Sequence, residues 1–461
     1  SDVSINALDI KELRKKVPLI NEKAPKEIGL LDYITASFNV DGNLQKLTVS
    51  NLEIESTVLD DSKPNLKVSN GKIGPVGASA ENQKINIDMD FELSLSKSEN
   101  LKKISQISKA VPKDLKFSGP LELKGKAAST DGNIEISSLL LDLSEGQFIF
   151  GELLNKPKNS LFKIASSALI SENAITLNKT EIDLNTLKLI ADGSVGTSEA
   201  KRINLNIKTN NTDLKSLSQN LIPIREYNTT GNALIEAKVS GSYAKGSSPK
   251  INGTAKLENI GATVEQLPKP VSRLNGVVNF TGDSAKIDDA SLYIGESAMA
   301  LNADIRSFSP LTVNYKLNSK SVRLADLSPT AKEGEVLNDV SITGRLSSFE
   351  GKPVNRVVLN SKSGKYSKLN YKNLNGTVSL KDNVIDINKL KFDFIGSTLS
   401  TKGSYVLDEK SPSFNISSNL SAVNLTDVLK SFLSSESEHI SGKTSLSLDI
   451  SGKGKQWDSI S

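Results

Sequence analysis

Along most of the chain, apolar and polar residues alternate with a period of two. The clearest run is Ile85, Ile87, Met89, Phe91, Leu93 and Leu95, interleaved with Asn86, Asp88, Asp90, Glu92 and Ser94. Successive side chains of a strand point to opposite faces, so this run predicts a strand with one apolar and one wetted face. The same alternation marks Leu121 and Leu123, then Ile203, Leu205 and Ile207, then Leu292 and Ile294. It continues through Met299, Leu301, Ala303 and Ile305 and through Val313, Tyr315 and Leu317. It returns at Leu390, Phe392 and Phe394, at Phe414 and Ile416, and at Leu446, Leu448 and Ile450. Turn residues punctuate the runs, as in Asp131-Gly132-Asn133, Thr281-Gly282-Asp283 and Lys381-Asp382-Asn383. Strand, turn, strand predicts an antiparallel meander.

Helical periodicity is local. It is confined to Leu8–Lys16, Leu101–Ala110, Asp213–Leu221, Leu324–Leu327 and Thr426–Phe432, where Thr212-Asp213 and Thr426-Asp427 read as capped starts. Such short pieces cannot blanket a sheet.

A degenerate repeat runs through the strands. A Gly-bounded strand theme recurs at Phe117–Gly125, Thr230–Gly241, Val340–Gly344 and Ile440–Gly452, with landmarks about 110 residues apart, longer than familiar solenoid repeats. Arg323-Leu324-Ala325-Asp326-Leu327 resembles Asn424-Leu425-Thr426-Asp427-Val428, and Leu274-Asn275-Gly276 through Ile287 matches Leu374-Asn375-Gly376 through Ile387. The expected segments are 1–116, 117–228, 229–336 and 337–438, with 439–461 opening a further repeat, all joined in one continuous sheet.

Composition sharpens this picture. Hydrophobic residues make up 37% and aromatic residues 5% of the 461, with Trp457 the single tryptophan. Large rings supply much of the core of a compact multidomain enzyme, so a thinner layer fits better. A continuous apolar sheet face left in water would cost about 25 cal/mol per Å². Its cover is helices, a second sheet, or something that is not protein. Helices are too few, and a second sheet calls for bulkier core residues. The expected architecture is therefore all-β with few short helices: a long, curved antiparallel sheet forming an elongated groove with an apolar interior. Roughly thirty strands at about 4.8 Å spacing would extend it well beyond ~100 Å.

The strings beginning Leu274-Asn275-Gly276-Val277-Val278, Ala290-Ser291-Leu292-Tyr293-Ile294-Gly295 and Ile440-Ser441-Gly442-Lys443 resemble the AsmA family of envelope proteins. The likeness spans nearly the whole chain, is strongest from about residue 225 onward, and rests on patterned Gly, Asp and aliphatics with no catalytic signature. It implies a periplasmic β-groove protein, anchored in the bacterial inner membrane by a segment outside this one. The implied role is moving phospholipid toward the outer membrane or supporting outer-membrane assembly, with outer-membrane or periplasmic protein partners. On this reading phospholipid is the cargo, and the alternating residues named above, from Ile85 to Ile450 but without Leu121, Leu123, Ala303 and Ile305, line the groove. The chain begins and ends mid-pattern, as expected of a piece of a longer protein. A non-transporting structural or assembly factor and a repeat adhesin are the competing classes.

Other chemistry finds little footing. The formal charge of +4 comes from 57 basic and 53 acidic residues without a dense basic block, which argues against nucleic acid. Cysteine is absent and His439 is the single histidine, which removes the usual zinc ligands and leaves a Ser-His-Asp arrangement without support. No Gly-x-Ser-x-Gly elbow occurs. Gly442-Lys443-Thr444 mimics the tail of a phosphate loop, but Ser437 stands where its first Gly belongs. Asp88, Asp90 and Glu92 share a strand face, and Asp288-Asp289 reads as a turn pair. Both are expected to be solvated rather than calcium-binding. Sequons at Asn228, Asn252, Asn375 and Asn415 are the chance product of an Asn-, Ser- and Thr-rich chain. No enzyme activity, cofactor or metal is expected.

Overall fold

The computed structural model describes residues 1–10, 12, 16, 31–43, 46–59, 63–76, 86–103, 114–130, 132–199, 201–244, 246–265, 267–308, 310–349, 352–367, 369–407, 412–426 and 442–453. It is nearly all β, and strand pairing assigns 25 strands to one antiparallel sheet that does not close into a barrel. The predicted fold class holds. Two compact units divide the chain, Ser1–Thr229 with Ala233–Ile251, and Thr230–Asn232 with Asn252–Ser461. The expected boundary at 228/229 lies at the edge of this division. Those at 116/117 and 336/337 fall inside strands, and 438/439 lies outside the described residues.

Unit 1 carries β1 (Asp2–Asp9), β2 (Leu31–Asn43), β3 (Lys46–Val58), β4 (Leu66–Val76), β5 (Asn86–Leu95), β6 (Leu115–Ser118), β7 (Leu121–Thr130) and β8 (Asn133–Asp142). β9 (Gln147–Phe150), β10 (Leu154–Lys156), β11 (Phe162–Ile170), β12 (Ala174–Leu184), β13 (Leu187–Gly196), β14 (Arg202–Thr209), β15 (Thr212–Asp213) and β16 (Thr230–Ser242) follow. From β1 to β5 each strand pairs with the next, and the ladder runs on through β7, β8, β11, β12, β13, β14 and β16. β6, β9 and β10 form a separate small sheet. The expected hairpin at Asp131-Gly132 joins β7 to β8.

Unit 2 continues with β17 (Lys250–Ala262), β18 (Val271–Gly282), β19 (Ser284–Ile294), β20 (Ser297–Phe308), β21 (Leu311–Arg323), β22 (Val336–Phe349) and β23 (Lys352–Tyr366). It ends with β24 (Leu369–Lys381), β25 (Val384–Phe394), β26 (Ser397–Val406), β27 (Ser413–Asn424) and β28 (Lys443–Lys453). From β18 to β28 every strand pairs with its successor in sequence.

The repeat survives as shared irregularity rather than shared sequence. Hairpins β12–β13, β19–β20 and β25–β26 slip register at matching places, between Leu177 and Thr180, Ile287 and Ala290, and Ile387 and Leu390. β18–β19 and β24–β25 slip after Ser272 and Lys372, where Arg273 (φ 51) and Asn373 (φ 52) adopt left-handed backbone. Bulges bend a strand and increase its local twist. Aligned on successive strands, they crease the ladder.

Among the described residues, Leu8 and Asp9 belong to β1 while Ile10, Glu12 and Lys16 are helical, with the Glu12 N–H donating to Asp9 Oδ1 at 2.9 Å. Thr212 and Asp213 belong to β15, and Leu101 sits in a 3-10 turn at Ser98–Lys103, with 104–110 outside the described residues. Short turns also occupy Lys215–Leu217, Ile222–Glu226 and Leu324–Leu327. Pairing won at β15 because a backbone edge was on offer, and beyond helical Thr426 the candidate 427–432 lies outside the described residues.

Lys156 anchors the small sheet of unit 1. It is fully buried, and its Nζ donates to the carbonyls of Leu143 at 2.7 Å, Ser144 at 2.5 Å and Gly146 at 2.5 Å. Burial holds its pKa below the ordinary 10.5, offset in part by Asp142. One ammonium thus satisfies three carbonyl acceptors along the turn between β8 and β9. Lys156→Met removes all three donors and should lower the unfolding free energy of unit 1 by about 2–4 kcal/mol, read from chemical denaturation followed by circular dichroism; an unchanged midpoint would contradict this role.

Candidate functional site: the inward apolar face

Cross-strand register turns the alternation into rows. In unit 1, Leu93 faces Leu123, then Leu141, Ile164, Ile182 and Leu189 in turn. A parallel row runs Met89, Ala127, Ile136, Ala168, Leu177, Gly193, Leu205 and Val239. The next is Ile87, Ser129, Ile134, Ile170, Ile175, Val195, Ile203 and Gly241. Phe91 and Ile207 share a row between the first two, through Gly125, Leu139, Ser166, Thr180 and Ala191.

Unit 2 has the same construction. One row joins Leu301, Leu317, Ile342, Leu359, Gly376, Leu390, Thr401, Ser418 and Leu448. A second joins Ala303, Tyr315, Gly344, Val357, Val378, Ile387, Gly403, Ile416 and Ile450. A third joins Val313, Leu346, Asn355, Leu380, Ile385, Tyr405 and Phe414. Leu292 faces Met299, while Phe392 faces Leu399, Leu420 and Leu446. The described candidates thus fall on one face of their own unit, and Ile85 lies outside the described residues.

They do not share one environment. Leu95, Leu292, Ile294, Met299 and Phe394 are buried. Leu95 belongs to a cluster with Leu121, Leu143, Phe162 and Leu184, against which pack Leu101 of the Ser98–Lys103 turn and Phe148 and Leu154 of the small sheet. In unit 2, Leu292, Ile294 and Met299 cluster with Val322, Leu337, Val340 and Tyr371, joined by Leu324 and Leu327 of the short helix. These clusters close one end of the rows in each unit. Polar ties hold the closing segments down: Asn185 donates to Asn220 at 2.7 Å, and Ser297 donates to buried Asp326 at 2.7 Å.

Beyond the clusters the face stays half open. Ile87, Met89, Phe91, Leu93, Ile203, Leu205, Ile207, Leu301, Val313, Tyr315, Leu317, Leu390, Phe392, Phe414, Ile416 and Ile450 are all partly exposed. Leu446 and Leu448 are exposed at 49% and 56%. A face covered by a second sheet would be buried, so no second sheet among the described residues completes it.

The polar residues on this face are mostly satisfied within it. Ser166 and Thr180 bond at 2.8 Å, Thr401 and Ser418 at 2.9 Å, and Ser361 donates to the Asn338 carbonyl at 2.9 Å. Rings lie flat over glycines of the next strand: a Cβ on Gly125 would stand 2.6 Å from Phe91 Cζ, and Tyr315 and Tyr371 cover Gly344 and Gly364 in the same way. The result is a low, hydrocarbon-like floor. The opposite face is wet, with ion pairs such as Lys124–Glu92 at 2.8 Å and Lys286–Asp288 at 2.9 Å. On the carboxylate face of β5, Asp88 pairs with Lys126 and Asp90 accepts from Asn70. Among the described residues there is no cluster fit to hold a metal, and no helix is long and apolar enough to cross a membrane. Lys443 opens β28 rather than a phosphate-binding helix, and His439 is outside the described residues.

Sequence reading missed much of this floor. Leu139-Leu140-Leu141 hides the alternation of β8, since Leu139 and Leu141 point inward while Leu140 is 40% exposed on the other face. In β12 the register slip after Leu177 breaks the parity that would have linked Ile175 to Ile182. Glycines under rings carry no hydrophobic signal of their own.

Burial raises the pKa of Tyr371, partly countered by its bond to Ser361, and burial also raises that of Tyr315. With folded values above the ordinary 10.0, these phenols stabilise unit 2 fully below that pH and progressively less as pH climbs through the raised values. The Tyr315→Phe/Tyr371→Phe protein should therefore keep its fold to higher pH than the parent in an alkaline titration followed by circular dichroism; coincident curves would show that these rings are solvated. No family model, curated protein or solved structure matches the chain.

Proposed function

We propose that this chain is a non-enzymatic lipid-holding β-groove protein of a bacterial envelope, conducting phospholipid acyl chains between the inner and outer membranes. The observation that carries the proposal is the half-open apolar face repeated in both units. Its rows continue from strand to strand, its hydroxyls bond to one another, and among the described residues no second layer buries it. Leaving such a face in water costs about 25 cal/mol per Å², and an acyl chain removes that cost without directional contacts. Near-equivalent rows offer many sites of similar energy, so a bound chain can shift along the ladder while the driving force comes from elsewhere. The resemblance to the AsmA family supports the periplasmic setting and the inner-membrane anchor in the full-length protein.

The alternative is a non-transporting assembly factor. Its support is the pair of closed clusters around Leu121 and Met299, where protein packs on protein. Transport needs those clusters only as an end wall, whereas an assembly factor has no use for the open rows beyond them.

Leu139 and Leu140 give a matched test, because they are sequence neighbours on opposite faces. Phospholipid should copurify with the detergent-free protein in at least stoichiometric amount, by mass spectrometry of organic extracts. Leu139→Asp should lower it several-fold in a still-folded protein, and Leu140→Asp should leave it unchanged. A stably folded parent free of lipid would transfer support to the assembly reading.

A further inference from the structure

The inward face of unit 2 makes one exception to its internal bookkeeping of polar groups. Thr401 and Ser418 bond to each other, and Ser361 bonds to a backbone carbonyl. Asn355 does not follow this pattern. Its Oδ1 is closed off from solvent and has no hydrogen-bond partner among the described residues. Register seats Asn355 between Leu346 of β22 and Leu380 of β24, with Val357 the next inward position along β23. Arg345 and Arg356 are paired on the opposite face and exposed, which fixes the Asn side chain on the apolar side.

A leucine here would complete the wall at no polar cost. An amide oxygen that has lost water and gained no donor is destabilising, so an uncompensated one calls for an explanation. Position suggests what compensates it. Asn355 stands in the outermost of the three rows described above, on the side away from the closed cluster and near the end of the β22–β23 pair. For a lipid whose tails lie on the inner rows, that is the level of the linkage between tail and headgroup.

We propose that Asn355 is a specificity site for the tail linkage of the bound lipid, favouring amide-linked (N-acyl) chains over ester-linked ones. This deepens the lipid-groove reading and rests on it. An ester presents only acceptors at that depth and leaves Oδ1 unpaired. A secondary amide presents an N–H to Oδ1 and a carbonyl to the Nδ2 donors, matching both ends of the carboxamide. Discrimination arises because the wrong ligand leaves a buried polar atom without a partner.

Competition loading of the delipidated protein tests this with two probes that share a choline phosphate headgroup and tail length: sphingomyelin and a diacyl phosphatidylcholine. Bound lipid is read by mass spectrometry. The parent should retain the N-acyl lipid about fivefold over the ester lipid, the effect of one hydrogen bond. Asn355→Leu should bring the ratio to about one. Lipid-free Asn355→Leu should also melt higher than the lipid-free parent, since it removes an unpaired polar atom from an apolar wall. Equal loading of both probes by the parent overturns the specificity site and leaves the groove standing; loading of neither removes the groove and the site together. A lower melting temperature for lipid-free Asn355→Leu would mean that the protein itself satisfies Oδ1, and would also overturn the proposal.

Discussion

A sheet that is apolar on one side and wet on the other must have its apolar side covered, and the described residues of this molecule supply only part of the cover. Alternation puts leucine, isoleucine, valine and the occasional ring on the inward side of strand after strand, and register aligns them into rows. Burial is complete only where a turn, a short helix or the small sheet folds back over the row ends, around Leu95 and Leu121 in unit 1 and around Leu292 and Met299 in unit 2. Elsewhere the rows remain half exposed. The remaining apolar area is the surface that the proposed acyl chains would cover.

Other features make that open face tolerable for an isolated chain. Mutual hydrogen bonds such as Ser166 to Thr180 remove polar demand from the floor, and rings laid over glycines keep it low. Left-handed residues at matched bulges, Arg273 in β18 and Asn373 in β24 among them, recur at equivalent places in the repeat and bend their strands. The closing segments are held by polar contacts suited to their surroundings: Asp326 accepts from Ser297 at a hairpin tip, and Lys156 binds a string of carbonyls. None of these groups is arranged as a nucleophile, base or metal ligand, and each has a structural partner that accounts for it.

Much of the architecture was legible because a period of two survives degenerate repetition. The run from Ile87 to Leu95 needs no neighbour to reveal its face, and the match between the segments starting at Leu274 and Leu374 reappears as matching register slips. What failed to show were places where local signal and tertiary demand diverge. Three consecutive leucines in β8 erase the alternation, a bulge in β12 inverts it, and Thr212-Asp213 reads as a helix start yet pairs as a strand. The distinction between closed and open stretches of one face was also invisible, since Leu292 and Leu205 look alike in sequence. Only the folded-back segments set them apart, burying the first and leaving the second half exposed.

The central claim is that hydrocarbon lies against the inward face and not the outward one. Ile416 and Ser417 of β27 are neighbours on opposite faces, half-buried and exposed respectively. A photo-crosslinking amino acid placed at each position in turn, activated in intact cells and followed by mass spectrometry of the adduct, asks the question directly. Phospholipid adducts at 416 and none at 417 are the predicted result. Equal labelling at both positions, or protein adducts alone at 416, would contradict the claim.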